Sequence, residues 1–131
     1  MDRDSAIKQI SAVRAVVGAG AWIAPRASGK LFGLDTGANP QAPYLGRLFG
    51  ARDVALAYGT LSSQGEGQDR WLVAGLGCDL ADAAAGLAAW RAGYLSTLSS
   101  VLVTAAALNG VALGLVALRG GGGSTAAPAA A

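Results

Sequence analysis

The chain has 131 residues, 53% of them apolar and 14% charged, with ten basic against eight acidic side chains and a formal net charge of +2. A soluble chain of this length buries about two thirds of its surface and carries about 25% charged residues, so the apolar excess is better matched by a lipid bilayer than by water. Cys78 is the one cysteine and there is no histidine, which excludes an internal disulfide and argues against zinc, haem and triad chemistry; the scattered basic residues form no stripe for nucleic acid. No metal and no cofactor is expected.

The first apolar stretch, within "SAVRAVVGAGAWIAP", is interrupted by Arg14 and stopped by Pro25. It does not read as a cleaved signal peptide, because "MDRDSAIK" is not clearly positive and Pro25 follows the small residues where cleavage would fall. A retained span over about 6–25 is expected. After it, "RASGKLFGLDTGANPQAP" is rich in turn residues, and two readings stay open. One is a short interfacial helix that uses Leu31, Phe32 and Leu34 beside Arg26 and Lys30; the other is a plain loop.

A second span, about 43–62, begins at Pro43, a residue suited to a first helical turn, and "SSQGEGQD" then reads as a polar turn. The third span, about 70–90, has Trp71 and Trp90 at its ends, where the bilayer interface favours indole rings, and Tyr44 and Tyr94 occupy similar depths. The fourth, about 95–118, carries no charge, and it alone passes a strict hydropathy test without help from its neighbours. The remainder, 120–131, "GGGGSTAAPAAA", is expected to be a disordered Gly/Ala-rich tail.

The expected fold is therefore all-α, a four-helix up-and-down transmembrane bundle over 1–119, multi-pass in the cell membrane, with the lipid bilayer as its partner. A soluble Ala-rich bundle is disfavoured because no segment shows a broad charged face. Orientation is not decided by the positive-inside rule: Arg3, Lys8, Arg70 and Arg119 on one face balance Arg26, Lys30, Arg47 and Arg91 on the other. Cytoplasmic termini are the working expectation.

Charges fall in the middle of three spans: Arg14 in the first, Arg52 and Asp53 in the second, Asp79 and Asp82 in the third. Each lies in a stripe of small residues at helical spacing. The stripes are Arg14, Gly18, Ala21 and Pro25; Gly46, Gly50, Asp53 and Ala57; and Gly75, Asp79, Asp82 and Gly86. Gly46, Gly50, Gly75 and Gly86 are expected helix-packing positions. The five charged residues are expected to converge, since each costs about 2.5 to 3.5 kcal/mol at mid-helix unless paired. Two arginines against three aspartates leave one negative charge in excess, so one carboxyl is expected to hold a proton. Arg47, near its helix end, is expected to reach the interface instead.

Two functional readings follow. The cluster of Arg14, Arg52, Asp53, Asp79 and Asp82 is either a structural network that fixes helix pairing or the lining of a polar ligand or proton site. The enzymatic alternative is a membrane-embedded isomerase or cyclase acting on a lipophilic small molecule. There Asp79, Asp82 or Asp53 serves as general acid, Arg14 or Arg52 holds an anionic group, and Tyr58 assists. Transport by four short helices would require a homo-oligomer. Cys78 is expected to pack as a small apolar residue, and Asn109, Ser96, Ser100 and Thr104 to hydrogen-bond between helices.

The segment "YLGRLFGARDVALAYGTL", with "APRASGKLFGL" before it and "WLVAGLGCDLADAAAGL" after it, resembles a family of small four-helix membrane proteins of unknown function found in actinobacteria and fungi. The family pattern is Gly-Arg-x-x-Gly-x-Arg-Asp followed by Asp-x-x-Asp, matched here by Gly46, Arg47, Gly50, Arg52, Asp53, Asp79 and Asp82. The resemblance covers roughly residues 6–118 and implies the four-helix architecture; it implies no substrate.

Overall fold

Proline and glycine divide the chain into its helices. The computed structural model describes residues 1–121, so most of the tail expected to be disordered lies outside the described residues. Among the described residues the elements are α-helices alone: α1 (Arg3–Ile23), α2 (Pro25–Leu31), α3 (Ala42–Ser62), α4 (Gly65–Arg91) and α5 (Thr97–Arg119).

The Asp2 carboxylate caps α1 by accepting the Ser5 backbone N–H at 2.8 Å. Pro25 ends α1 because it has no N–H to continue the ladder, and its fixed φ starts α2 in the same step. The linker thus contains a short helix that ends at Leu31, with Phe32 and Leu34 beyond it, and the Thr36 hydroxyl donates to the Arg26 carbonyl at 3.2 Å. Pro43 stands in the first turn of α3 as expected, and Ser96 caps α5 through the Ser99 N–H at 3.1 Å.

The stretch read as a polar turn is corrected. Residues 65–69 form the first turn of α4, leaving only Ser63 and Gln64 between α3 and α4. The reason is tertiary: Arg3 donates to Gln68 Oε1 at 3.1 Å and to the Asp69 carboxylate at 2.7 Å, and Gln68 Nε2 donates to the Thr60 backbone carbonyl at 2.9 Å. Local composition carries no sign of these contacts.

The long helices are neighbours in the order α1, α3, α4, α5, with α5 returning to α1. α1 packs most extensively on α3, and α4 on α5; α2 lies against α1 and α3. Among the described residues α1 and α4 make no close backbone approach, and they face each other across the ring. Both α4 and α5 are long and apolar enough to cross a membrane. This corrects the expectation that only the last span meets that test unaided, because the two mid-helix carboxylates of α4 sit in an otherwise apolar stretch.

The interior mixes apolar and polar side chains, with Ile10, Leu56 and Leu113 buried as well as charged and hydroxyl residues. A small apolar cluster of Ala6, Ile7, Leu72 and Ala117 fills the end where α1 starts and α5 stops. Elsewhere the buried positions include Ser11, Arg14, Asp53, Thr60, Asp79 and Ser100, whereas Val16, Ile23, Leu48, Tyr58, Val73, Leu80, Val101 and Leu108 are exposed.

Candidate functional site: a buried arginine and aspartate network

The five mid-helix charges form two sets, Arg14 with Asp79 and Arg52 with Asp53 and Asp82, with no ion pair between the sets among the described residues. Arg14, buried on α1, reaches across the ring and donates through Nη2 to Asp79 Oδ2 of α4 at 2.5 Å; the two side chains are 5% and 12% exposed. Arg52 of α3 grips Asp82 of α4 with two parallel bonds, Nη1 to Oδ1 at 3.0 Å and Nη2 to Oδ2 at 2.7 Å. The same guanidinium reaches Asp53 Oδ1 from Nη2 at 3.1 Å and from Nε at 3.3 Å, and it lies 4.6 Å from the Phe49 ring centroid. Arg52 and Asp82 are about one third exposed in the seam between α3 and α4, while Asp53 is buried behind them.

Glycine makes room for these side chains. A Cβ on Gly75 would lie 2.6 Å from Arg14 Nη2, and one on Gly110 would lie 2.5 Å from Asp79 Oδ2. Gly75, expected as a helix-packing residue, is therefore the floor on which Arg14 rests. Gly110 of α5 was not singled out by sequence, because glycine in an uncharged helix is indistinguishable there from ordinary small-residue packing. Gly50 does pack backbone to backbone: a Cβ on its partner Gly18 would lie 2.8 Å from the Gly50 carbonyl oxygen. Gly46 meets Pro25, and Gly86 meets Thr104 and Val103.

The surrounding polar residues divide. The Ser100 hydroxyl donates to the Gly86 carbonyl at 3.2 Å, an interhelical bond as expected. Thr104 faces α4, but among the described residues its hydroxyl has no partner, and neither has that of Ser11. Ser96 serves as a cap, because its position before α5 leaves its side chain free to accept the unpaired N–H of that helix. Asn109 is exposed on the outside of α5, which corrects its assignment as an interhelical group. Tyr58 is also exposed, five residues beyond Asp53 and on the outer face of α3, so it does not join the carboxylates. Cys78 is half-buried, and Arg47 is exposed near its helix start and donates to the Trp22 carbonyl at 3.2 Å.

A second polar knot, also not singled out by sequence, closes the end where α1 starts and α5 stops. Besides Gln68 and Asp69, Arg3 donates to the Ala117 carbonyl at 2.5 Å, so one side chain ties α1 to both α4 and α5. Two open hollows of about 710 and 380 Å³ lie at this same end, and neither is lined by Arg14, Arg52, Asp53, Asp79 or Asp82. Among the described residues no three Cys, Asp or Glu side chains gather as they would to hold a metal ion.

In chemical terms the network joins opposite charges across the α3–α4 seam and across the ring between α1 and α4. Each of its carboxylates touches a guanidinium, and Arg52 with Asp82 forms its accessible part. Compared with protein-family models, curated proteins and solved structures, the chain matches none.

Proposed function

We propose that this chain is a small multi-pass protein of the cell membrane in which α1, α3, α4 and α5 cross the bilayer as an up-and-down four-helix bundle, and that its buried Arg/Asp network fixes which helices pair and in what register. The observation that carries the reading is the distribution of burial. Arg14, Asp53, Asp79 and several hydroxyl residues are buried along with Ile10, Leu56 and Leu113, while many large apolar side chains along the helices, among them Val16, Leu48, Leu80, Val101 and Leu108, are exposed. In water such a surface would aggregate; in lipid it is the favoured arrangement, because small residues allow close helix approach and polar side chains find partners only inward. The resemblance to small four-helix membrane proteins of unknown function supports the same architecture. The direct test is extraction of the full chain from membranes: it should resist an alkaline carbonate wash and be released by detergent. Release by carbonate alone would sink the proposal.

One observation favours a second reading. Arg52 and Asp82 are accessible from outside the helix ring, at a depth where a structural pair has no need of exposure. On this reading the seam between α3 and α4 admits the polar group of a lipophilic small molecule, with Asp82 as general acid of an isomerase or cyclase and Arg52 as anion holder. A lipophilic photoaffinity probe should then label α3 and α4, and Asp82→Asn should abolish labelling in protein that still unfolds cooperatively in detergent. Labelling unaffected by that substitution would leave the structural role alone.

A further inference from the structure

The two ends of the molecule differ in how their charges are matched. At the end holding α2, the exposed basic residues Arg26, Lys30, Arg47 and Arg91 face a single acidic residue, Asp35, for a net charge of +3. At the opposite end Arg3, Lys8, Arg70 and Arg119 are offset one for one by Asp2, Asp4, Glu66 and Asp69. Two of those pairs are in contact, Arg3 with Asp69 at 2.7 Å and Arg70 with Glu66 at 3.7 Å. With the interior network at −1, the three regions account for the whole formal charge. Among the described residues none of the four basic side chains at the α2 end forms an ion pair.

Apolar and aromatic side chains share that end. Leu31 of α2 is 81% exposed, and Trp22, Ile23, Tyr44 and Trp90 are exposed around it. Basic residues beside exposed indole, phenol and aliphatic groups on a short helix match the chemistry of a headgroup layer, where apolar side chains enter the acyl boundary and cations stay with the phosphates. The geometry points to the α2 end as a binding surface for anionic phospholipid headgroups, with the opposite, internally neutralised end lacking that preference. This inference rests on the membrane reading above. Charge complementarity selects the occupant: a zwitterionic headgroup layer offers no net charge to match +3, whereas each Lys or Arg near an anionic surface favours it by about fivefold.

The tryptophans report the two ends separately, because Trp22 and Trp90 lie at the α2 end and Trp71 near the other. The full chain, as Trp71→Phe and as Trp22→Phe/Trp90→Phe, is reconstituted in mixed phosphatidylcholine and phosphatidylglycerol vesicles with bromine on the acyl chains of one lipid at a time. Trp22 and Trp90 should be quenched more strongly by the brominated phosphatidylglycerol, an excess that shrinks with added salt. Arg26→Gln/Lys30→Gln, at exposed positions that leave the Arg47 bond to Trp22 intact, should reduce the excess severalfold. Trp71 should be quenched equally by both lipids. Equal quenching at Trp22 and Trp90 while Trp71 shows insertion would overturn the headgroup surface, as would the same phosphatidylglycerol excess at Trp71. Quenching of no tryptophan by either lipid would instead overturn the membrane reading itself.

Discussion

The Arg14 guanidinium of α1 and the Asp79 carboxylate of α4 meet at 2.5 Å across the ring of helices, although their helices make no close backbone approach. The pair spans the interior because Gly75 and Gly110 leave the space that two side chains of this size require. Removing one partner strands a buried charge, a change that costs about 3 kcal/mol or more, whereas replacing both with apolar residues of similar volume is often neutral. Arg14→Gln and Asp79→Leu should therefore each lower stability by about that amount in detergent unfolding. Arg14→Met/Asp79→Leu should recover most of the loss. A double variant as unstable as the sum of the singles would show that the pair does not act as a unit.

Glycine substitutions should rank by what each new methyl group meets. On Gly50 it would collide with the Gly18 carbonyl, a backbone atom that cannot step aside, so Gly50→Ala should destabilise by about 1 to 3 kcal/mol through overpacking of α1 on α3. On Gly77 of α4 it would meet nothing within 4 Å, so Gly77→Ala should stabilise by about 0.5 to 1 kcal/mol through helix propensity. Thermal unfolding of the two variants side by side decides the matter, and equal shifts would contradict the packing described.

Arg52 holds two carboxylates with one planar fork, which an ammonium cannot reproduce. Arg52→Lys keeps the charge and should still cost roughly 1 kcal/mol, discounted because the side chain is about one third exposed. Its effect should centre on the seam between α3 and α4. Amide exchange should rise in α3 and α4 around residues 52 and 82 and stay unchanged where Gly18 meets Gly50.

The start of α1 supplies a pH dependence. The Ser5 backbone N–H, helped by the Ser5 hydroxyl, holds the Asp2 carboxyl below its ordinary range. A carboxyl with a lower value folded than unfolded contributes above its unfolded value, about 3.9, and the contribution is lost as pH falls through the folded value. Acidification should thus lower amide-exchange protection at Ser5, relative to the intrinsic rate at each pH, before the rest of α1 responds. Asp2→Asn, which caps without a titrating group, should flatten that dependence. A pH response that persists in Asp2→Asn would assign it to another group.

Much of this molecule is dictated by local chemistry. Pro25 and Pro43 set helix boundaries because a residue without an N–H cannot sit inside the ladder, and the three-and-four spacing of Asp79, Asp82, Gly75 and Gly86 places them on one face whatever surrounds the helix. The apolar excess that speaks for lipid is a property of composition alone. Tertiary structure decided which partner each charge takes. That Arg14 reaches Asp79 while Arg52 holds both Asp53 and Asp82 depends on which helices lie across the ring and how far each side chain extends, distances that no helical period encodes. For the same reason Gly110 and Arg3 could not be picked out beforehand, the first turn of α4 was hidden in a turn-like composition, and Asn109 and Tyr58 were misassigned. The helical repeat states which residues share a face, and only the packed neighbours state whether that face looks inward.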